Sequence, residues 1–153
     1  MKNILVIILC LFINNSVQSQ NYWQQNADYK IFVDVNAKKN SYKGNQEILY
    51  KNNSRDTLNK IFFHLYFNAF KVGSDMAVRL KNGDDINTRF DVDISQLKPE
   101  EEGFLNVTNL KQDNLKVETY LSDTILEVTL ANPLEPGEPS VFAMNFNGNT
   151  CYH

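Results

Sequence analysis

Apolar and polar residues alternate with a period of two along several short runs of this chain. From Tyr29 to Val35, Tyr29, Ile31, Val33 and Val35 fall on one face and Lys30 and Asp34 on the other, which predicts a half-buried strand. Asn36 to Asn40 is a polar turn. A returning strand is expected over Gln46 to Lys51, with Ile48 and Tyr50 on one face, followed by the turn cluster Asn52-Asn53-Ser54-Arg55-Asp56. In Leu58 to Phe70, Ile61, Phe63, Leu65 and Phe67 alternate with Phe62, His64 and Tyr66. Both faces are apolar or aromatic, so a strand covered on both sides is expected. A helix is the other reading of so short a run, but β-branched and aromatic content favours strand.

Lys71 to Glu102 breaks the pattern. It is polar, holds Gly73, Gly83 and Asp84-Asp85, and reads as a long surface excursion. Within it, Asp75 to Leu80 fits a turn or two of helix, and Pro99 followed by three glutamates fits the start of another. Alternation then resumes. Phe104 to Leu110 predicts one strand, Leu115, Val117 and Leu121 a second, and Leu126, Val128 and Leu130 a third, with turn signals between. Asn132 to Pro139 carries three prolines and a glycine and is expected to be a rigid turn outside any central ladder. Phe142, Met144 and Phe146 mark a last strand. Strands spaced by roughly ten residues argue for an all-β fold, an antiparallel sandwich or meander.

The N-terminus does not join this pattern. Lys2, the unbroken apolar run Ile4 to Ile13, and Val17 and Ser19 ahead of Gln20 together predict a secretory signal peptide over residues 1–19. The run is too short for a spanning helix. A lipoprotein anchor at Cys10 is rejected, because Leu9 stands where a small residue is wanted. Export is therefore expected, to the periplasm or beyond, with no membrane contact after cleavage. Loss of the leader would leave Cys151 as the remaining thiol and no internal disulfide. Hydrophobic residues make up 42% and charged residues 22%, a globular balance that excludes a disordered chain. With a net charge of −3 and no basic block, nucleic acid is not an expected partner.

Candidate chemistry is sparse. Hydrolytic zinc needs clustered imidazoles or carboxylates and an open position for water. This sequence has two histidines, His64 and His153, and no HExxH. No GxSxG or phosphate loop occurs, and Cys151 with His153 would be a Cys–His pair in a terminal tail. Asp84-Asp85 and Asp91/Asp93 could face a calcium ion, but their spacing fits no helix–loop–helix site. His64 reads as a packed, hydrogen-bonded histidine rather than a ligand, and the aromatic run around it as core rather than a groove. Asn52-Asn53-Ser54 and Asn106-Val107-Thr108 match the N-glycosylation pattern, which matters only in a eukaryotic secretory host. No catalytic or metal-binding residue is assigned, and no substrate-binding residue can be named.

Three strings nevertheless belong together: Tyr22-Trp23-Gln24-Gln25; Leu58 to Phe70, ending in leucine-tyrosine-x-asparagine-alanine-phenylalanine; and Pro133-Leu134-x-Pro136-Gly137 leading into Phe142 and Phe146-x-Gly148. In combination they resemble the N-terminal domain of secreted zinc metallopeptidases of the aminopeptidase N and leukotriene hydrolase family, in Bacteroidetes-like forms. The resemblance implies a saddle-like, all-β platform over residues 20–148 that braces a thermolysin-like catalytic domain and walls its peptide cleft. It implies no cofactor in this chain, the zinc belonging to the catalytic domain. That domain, and in the parent its peptide substrates, are the implied partners. Residues 149–153 depart from the family, so the β domain is expected to be incomplete at its C-terminus, leaving sheet edges and faces uncovered. The alternative from a different class is an independent secreted binding or adhesion module, using Tyr22, Trp23 and the 71–102 excursion. A third is an enzyme acting through Cys151.

Overall fold

The computed structural model describes residues 23–82 and 93–150. In chain order its strands are β1 (Asn26–Asn36), β2 (Ser41–Lys51), β3 (Leu58–His64), β4 (Phe104–Gln112), β5 (Leu115–Lys116), β6 (Glu118–Ser122), β7 (Ile125–Leu134) and β8 (Pro139–Asn149). They form two antiparallel sheets, a larger one ordered β1-β2-β8-β4-β5 and a smaller one ordered β3-β7-β6. The protein is thus all-β and antiparallel. Among the described residues the excursion holds one short α-helix, α1 (Asp75–Asn82), and a 3-10 turn at Ile94–Gln96. Among the described residues no helix is long and apolar enough to cross a membrane.

The core lies where the smaller sheet covers the larger. β8 sits centrally between β2 and β4, and its inward Phe142 and Met144 are 0% and 4% exposed. They face Leu126, Val128 and Leu130 of β7, with Ile48 of β2 alongside. The Phe142 ring meets Tyr50 and Phe63 edge-on, with centroids 6.4 and 6.5 Å apart. Burying each large apolar side chain contributes about 1.5–3 kcal/mol, and aromatic edge contacts add about 0.5–1.5.

Local irregularities keep the apolar residues inward. In β4 the pairing with β8 shifts between Thr108 and Lys111, and Asn109 takes a positive φ of 55°. This bulge changes parity. Leu105 and Val107 pack on the core before it, and Leu110 and Gln112 are buried after it. Asp113 and Asn114, both at positive φ, close the tight β4–β5 turn. Gly148 has a simpler reason to be glycine: a Cβ there would lie 2.2 Å from the Phe104 carbonyl oxygen and 2.5 Å from the Tyr42 hydroxyl.

Several expectations need correction. The apolar stretch from Leu58 is strand only to His64; it then turns into a 3-10 helix, Tyr66–Phe70. Nor is it covered on both faces, since Phe62 is 61% exposed. The single strand expected across Leu115 to Leu121 is two strands in different sheets: Lys116 pairs with Lys111 and Glu118 with Thr129, while buried Val117 crosses between. The proline-rich turn is shorter than expected. Leu134 still pairs with Leu58 and Pro139 with Lys51, leaving residues 135–138 to turn, with Gly137 at φ 83°. Pro99 opens a turn rather than a helix. The largest departure is β1. Tyr29, Ile31, Val33 and Val35 do share a face, the inner one, but they are 61, 49, 52 and 68% exposed. Three strands cannot cover five, and the smaller sheet stops short of β1.

The excursion begins and ends in packed contacts. Ser74 caps α1: its hydroxyl accepts from Ala77 N–H at 3.1 Å and donates to the Ala69 carbonyl at 2.6 Å. Ala77 and Ile94 are buried. Asp84, Asp85 and Asp91 lie outside the described residues, as do residues 1–22 and the terminal Cys151 and His153.

Candidate functional site

Where the smaller sheet ends, an apolar groove of about 550 Å³ opens between the inner face of β1 and β2 and the edge of β3. Its floor comes from Ile48, Met144 and Phe146, its outer wall from Tyr29, Ile31 and Val33, and its near wall from Phe62, Phe63 and the segment Leu65–Phe67. No Lys, Arg, Asp or Glu lines it. Uncharged concave surfaces of this kind in soluble proteins mark places where a ligand or another protein surface belongs.

The near wall is set by the 3-10 helix. Leu65 N–H donates to the Thr124 carbonyl at 2.7 Å, and the chain then leaves the sheet. Asn68 holds the turn down. It is 1% exposed; its Oδ1 accepts from Leu105 N–H at 2.9 Å and its Nδ2 donates to the Asp123 carbonyl at 3.4 Å. One amide thereby ties the turn to β4 and to the β6–β7 connection. The buried Leu65 side chain anchors the same turn from below. Tyr66 is left pointing out at 69% exposure.

Tyr42 stands at one end of the groove. Its hydroxyl donates to the Phe104 carbonyl at 3.2 Å, and its ring packs against Phe67 and Phe146, 5.7 and 6.3 Å away. Burial pushes its pKa above the usual tyrosine value of 10.0, and does the same for Tyr50. Both phenols stay neutral through the physiological range.

His64 is hydrogen-bonded but not packed inside. Its Nε2 lies 3.1 Å from the Thr124 hydroxyl, and its exposed ring stacks on Tyr66 with centroids 3.8 Å apart. These surroundings do not suit a metal: among the described residues no group of three or more His, Cys, Asp or Glu could hold one. The described residues therefore do not fit a zinc ion. Asp93 accepts from Ser95 N–H at 2.9 Å and from its hydroxyl at 2.7 Å, capping the 3-10 helix Ile94–Gln96. Those bonds, with a smaller contribution from Lys81, hold its carboxyl below the usual range.

The two glycosylation-pattern asparagines differ. Asn106 is exposed, but Asn52 is 0% exposed. The Asn52 Nδ2 donates to the Asp56 and Leu134 carbonyls, both at 2.9 Å, and its Oδ1 accepts from the Ser54 hydroxyl at 2.6 Å. Asn52 is thus a structural knot joining the β2–β3 and β7–β8 connections. Trp23 is 48% exposed beside Gln24 and Gln25, whose backbone and side-chain oxygens accept from Asn53. Sequence alternation does not reveal the groove, because its walls read as core. The one signal it leaves is the excess of apolar positions in the first strand.

No protein-family model matches the chain, and no curated protein is significantly similar to it. Solved structures do align. An M1 zinc metallopeptidase from Deinococcus radiodurans matches with a TM-score of 0.48 at 16% identity, over 80% of this chain and 20% of that one. A variant of that protein bound to a tyrosine-serine-alanine substrate matches to the same extent. A two-domain M1 zinc metallopeptidase variant bound to L-tryptophan covers 82% of this chain and 21% of its own, also at 0.48 and 16%. The chain spans about a fifth of the length of these proteins.

Proposed function

We propose that this chain is the non-catalytic N-terminal β domain of an exported, zinc-dependent aminopeptidase-like protein, whose task is to brace a catalytic domain and shape one side of its peptide cleft. The observation that carries this reading is the apolar groove, with Tyr29, Ile31, Val33 and Val35 of β1 standing 49–68% exposed on a face that sequence alternation marks as inward. An apolar face of that kind in a soluble protein calls for a cover. The sequence string ending in Leu65 to Phe70 links the open face to this family, and in the folded chain that string builds the groove's near wall. Zinc, the general base and the anchor for a substrate amine would all come from the catalytic domain, which supplies the hydrolysis of peptides from their N-termini.

Dye binding and activity test the reading together. The purified chain should bind an apolar-surface dye, melt with a broad transition, and show no hydrolysis of aminoacyl amides with or without added zinc. Adding a catalytic domain that carries HExxH from the same genome should remove the dye and raise the melting temperature. Stoichiometric zinc binding with turnover by this chain would defeat the proposal. A sharp melt without dye binding would favour the independent binding module instead.

A further inference from the structure

The free edge of β1 carries a separate inference, one that goes beyond the proposed function and does not rest on it. β1 is the outermost strand of the larger sheet, and among the described residues nothing pairs with its far side. It is eleven residues long, it is exposed at every position but Ala27, and its register with β2 is unbroken from Asn26 to Asn36. Soluble proteins usually blunt such an edge with proline, a bulge or unpaired charge. β1 has no proline and no bulge, and its charges are Asp28, Lys30 and Asp34.

We propose that β1 pairs antiparallel with β1 of a second copy of this chain, about a two-fold axis at Phe32, joining two five-stranded sheets into one of ten strands. Matching faces across the seam requires the paired residue numbers to sum to an even value, because a one-residue slip turns the apolar row outward. With the axis at Phe32, Lys30 lies opposite the second copy's Asp34, and Asp34 opposite its Lys30. On the inner face Tyr29 meets Val35 and Ile31 meets Val33. The flanking strand extends the charge match. Lys43 of β2 already pairs with Asp34 at 3.8 Å, and Glu47 lies opposite Lys30. Across the seam the row therefore reads Lys43, Asp34, then the second copy's Lys30 and Glu47, with signs alternating, and the two-fold repeats it. Neighbouring registers match charge less well: an axis at Val33 sets Asp34 against Phe32 and Lys30 against Asn36, with no opposite-charge pair within β1. An axis at Ile31 sets Asp28 against Asp34 twice, and an axis at Lys30 sets two lysines together. Opposite charges directly across strands favour pairing and like charges oppose it. An edge seam falls in the small class of interfaces, below about 1,200 Å², so micromolar, salt-sensitive association is expected.

Sedimentation velocity on the full chain tests this. The unmodified protein should be dimeric at roughly 100 µM and dissociate on dilution and in high salt. Lys30→Glu puts carboxylates together across the seam and Asp34→Lys puts ammonium groups together. Each should weaken association at least about tenfold while circular dichroism shows an intact fold. Mixing the two variants restores opposite signs at both seam positions and should restore the dimer as a heterodimer, which a merely structural role for either residue would not do. A monomeric unmodified protein at the highest concentration, larger open-ended species, variants that associate as well as the parent, or no recovery on mixing would each overturn the proposal.

Discussion

The two halves of this sandwich are written in the same alternating code and meet different fates. Around the middle of β8, the inward Phe142 finds the smaller sheet above it, and Phe142 and Val128 are wholly buried. Around β1, inward residues of the same chemical kind stand half open to solvent. Alternation tells a strand which face is apolar; it does not supply the strand that covers it. Polar side chains sharpen the contrast. In the covered half, Asn52, Asn68 and Gln112 are buried and bonded, Gln112 exchanging two hydrogen bonds with the Asn132 backbone at 2.9 and 3.1 Å. Each joins chain segments distant in sequence, as expected where an unbonded polar group would be costly. In the open half, β1 side chains make solvent-facing contacts, such as Lys43–Asp34 and the Lys30 ammonium 5.7 Å from the Phe32 ring centroid.

Substitutions should read this difference as energy. The largest effect belongs to Phe142→Ala, which removes a fully buried ring from between Tyr50 and Phe63 and should cost about 3–5 kcal/mol in chemical denaturation. Next is Asn52→Ala. It leaves the Leu134 carbonyl without its side-chain donor and the Ser54 N–H without its Oδ1 acceptor, and a loss of about 2–3 kcal/mol is expected by the same measurement. At the boundary between the halves, Tyr42→Phe deletes the bond to the Phe104 carbonyl and should cost about 0.5–1.5 kcal/mol.

Tyr42 also gives the boundary a pH signature. Because its folded pKa is raised above 10.0 by burial, the folded state holds the phenolic proton more tightly than the unfolded one. Its contribution is complete below that unfolded value and is lost as pH rises through the folded one. Alkaline denaturation should therefore begin later in Tyr42→Phe than its neutral-pH stability suggests. The smallest effect is expected on the open face, where Ile31→Thr should change stability by no more than about 0.5 kcal/mol while lowering binding of an apolar-surface dye. A loss above about 1 kcal/mol there would mean that β1 is covered in the isolated chain, and the comparison would collapse.

Much of this is legible from residue order, for stated reasons. Period-two alternation locates strands at Tyr29 to Val35, Gln46 to Lys51, Phe104 to Leu110 and around Leu126 and Phe142, because a pleated backbone sends successive side chains to opposite faces. Its absence over Asp75 to Leu80 leaves room for α1 within the excursion. Alternation cannot show that the chain leaves the sheet at Leu65, because the turn is imposed by Asn68 reaching Leu105 and Asp123, partners distant in sequence. Nor can it show that Val117 switches sheets, since a strand that changes partners keeps its alternation. The groove is hidden for a related reason: an apolar residue under a second sheet and one under none are spelled alike.

What the sequence determined by itself was the all-β class, the inward or outward side of most strand residues, and the lack of the HExxH and GxSxG strings. Each of these is local, a matter of neighbours a few residues away. Only tertiary structure decided that β8 lies between β2 and β4, that three strands face five, and that among the described residues nothing covers the inner face of β1 or pairs with its outer edge. Those facts depend on which segments meet across the chain, and pairing energy between distant strands leaves no mark on the local order of residues.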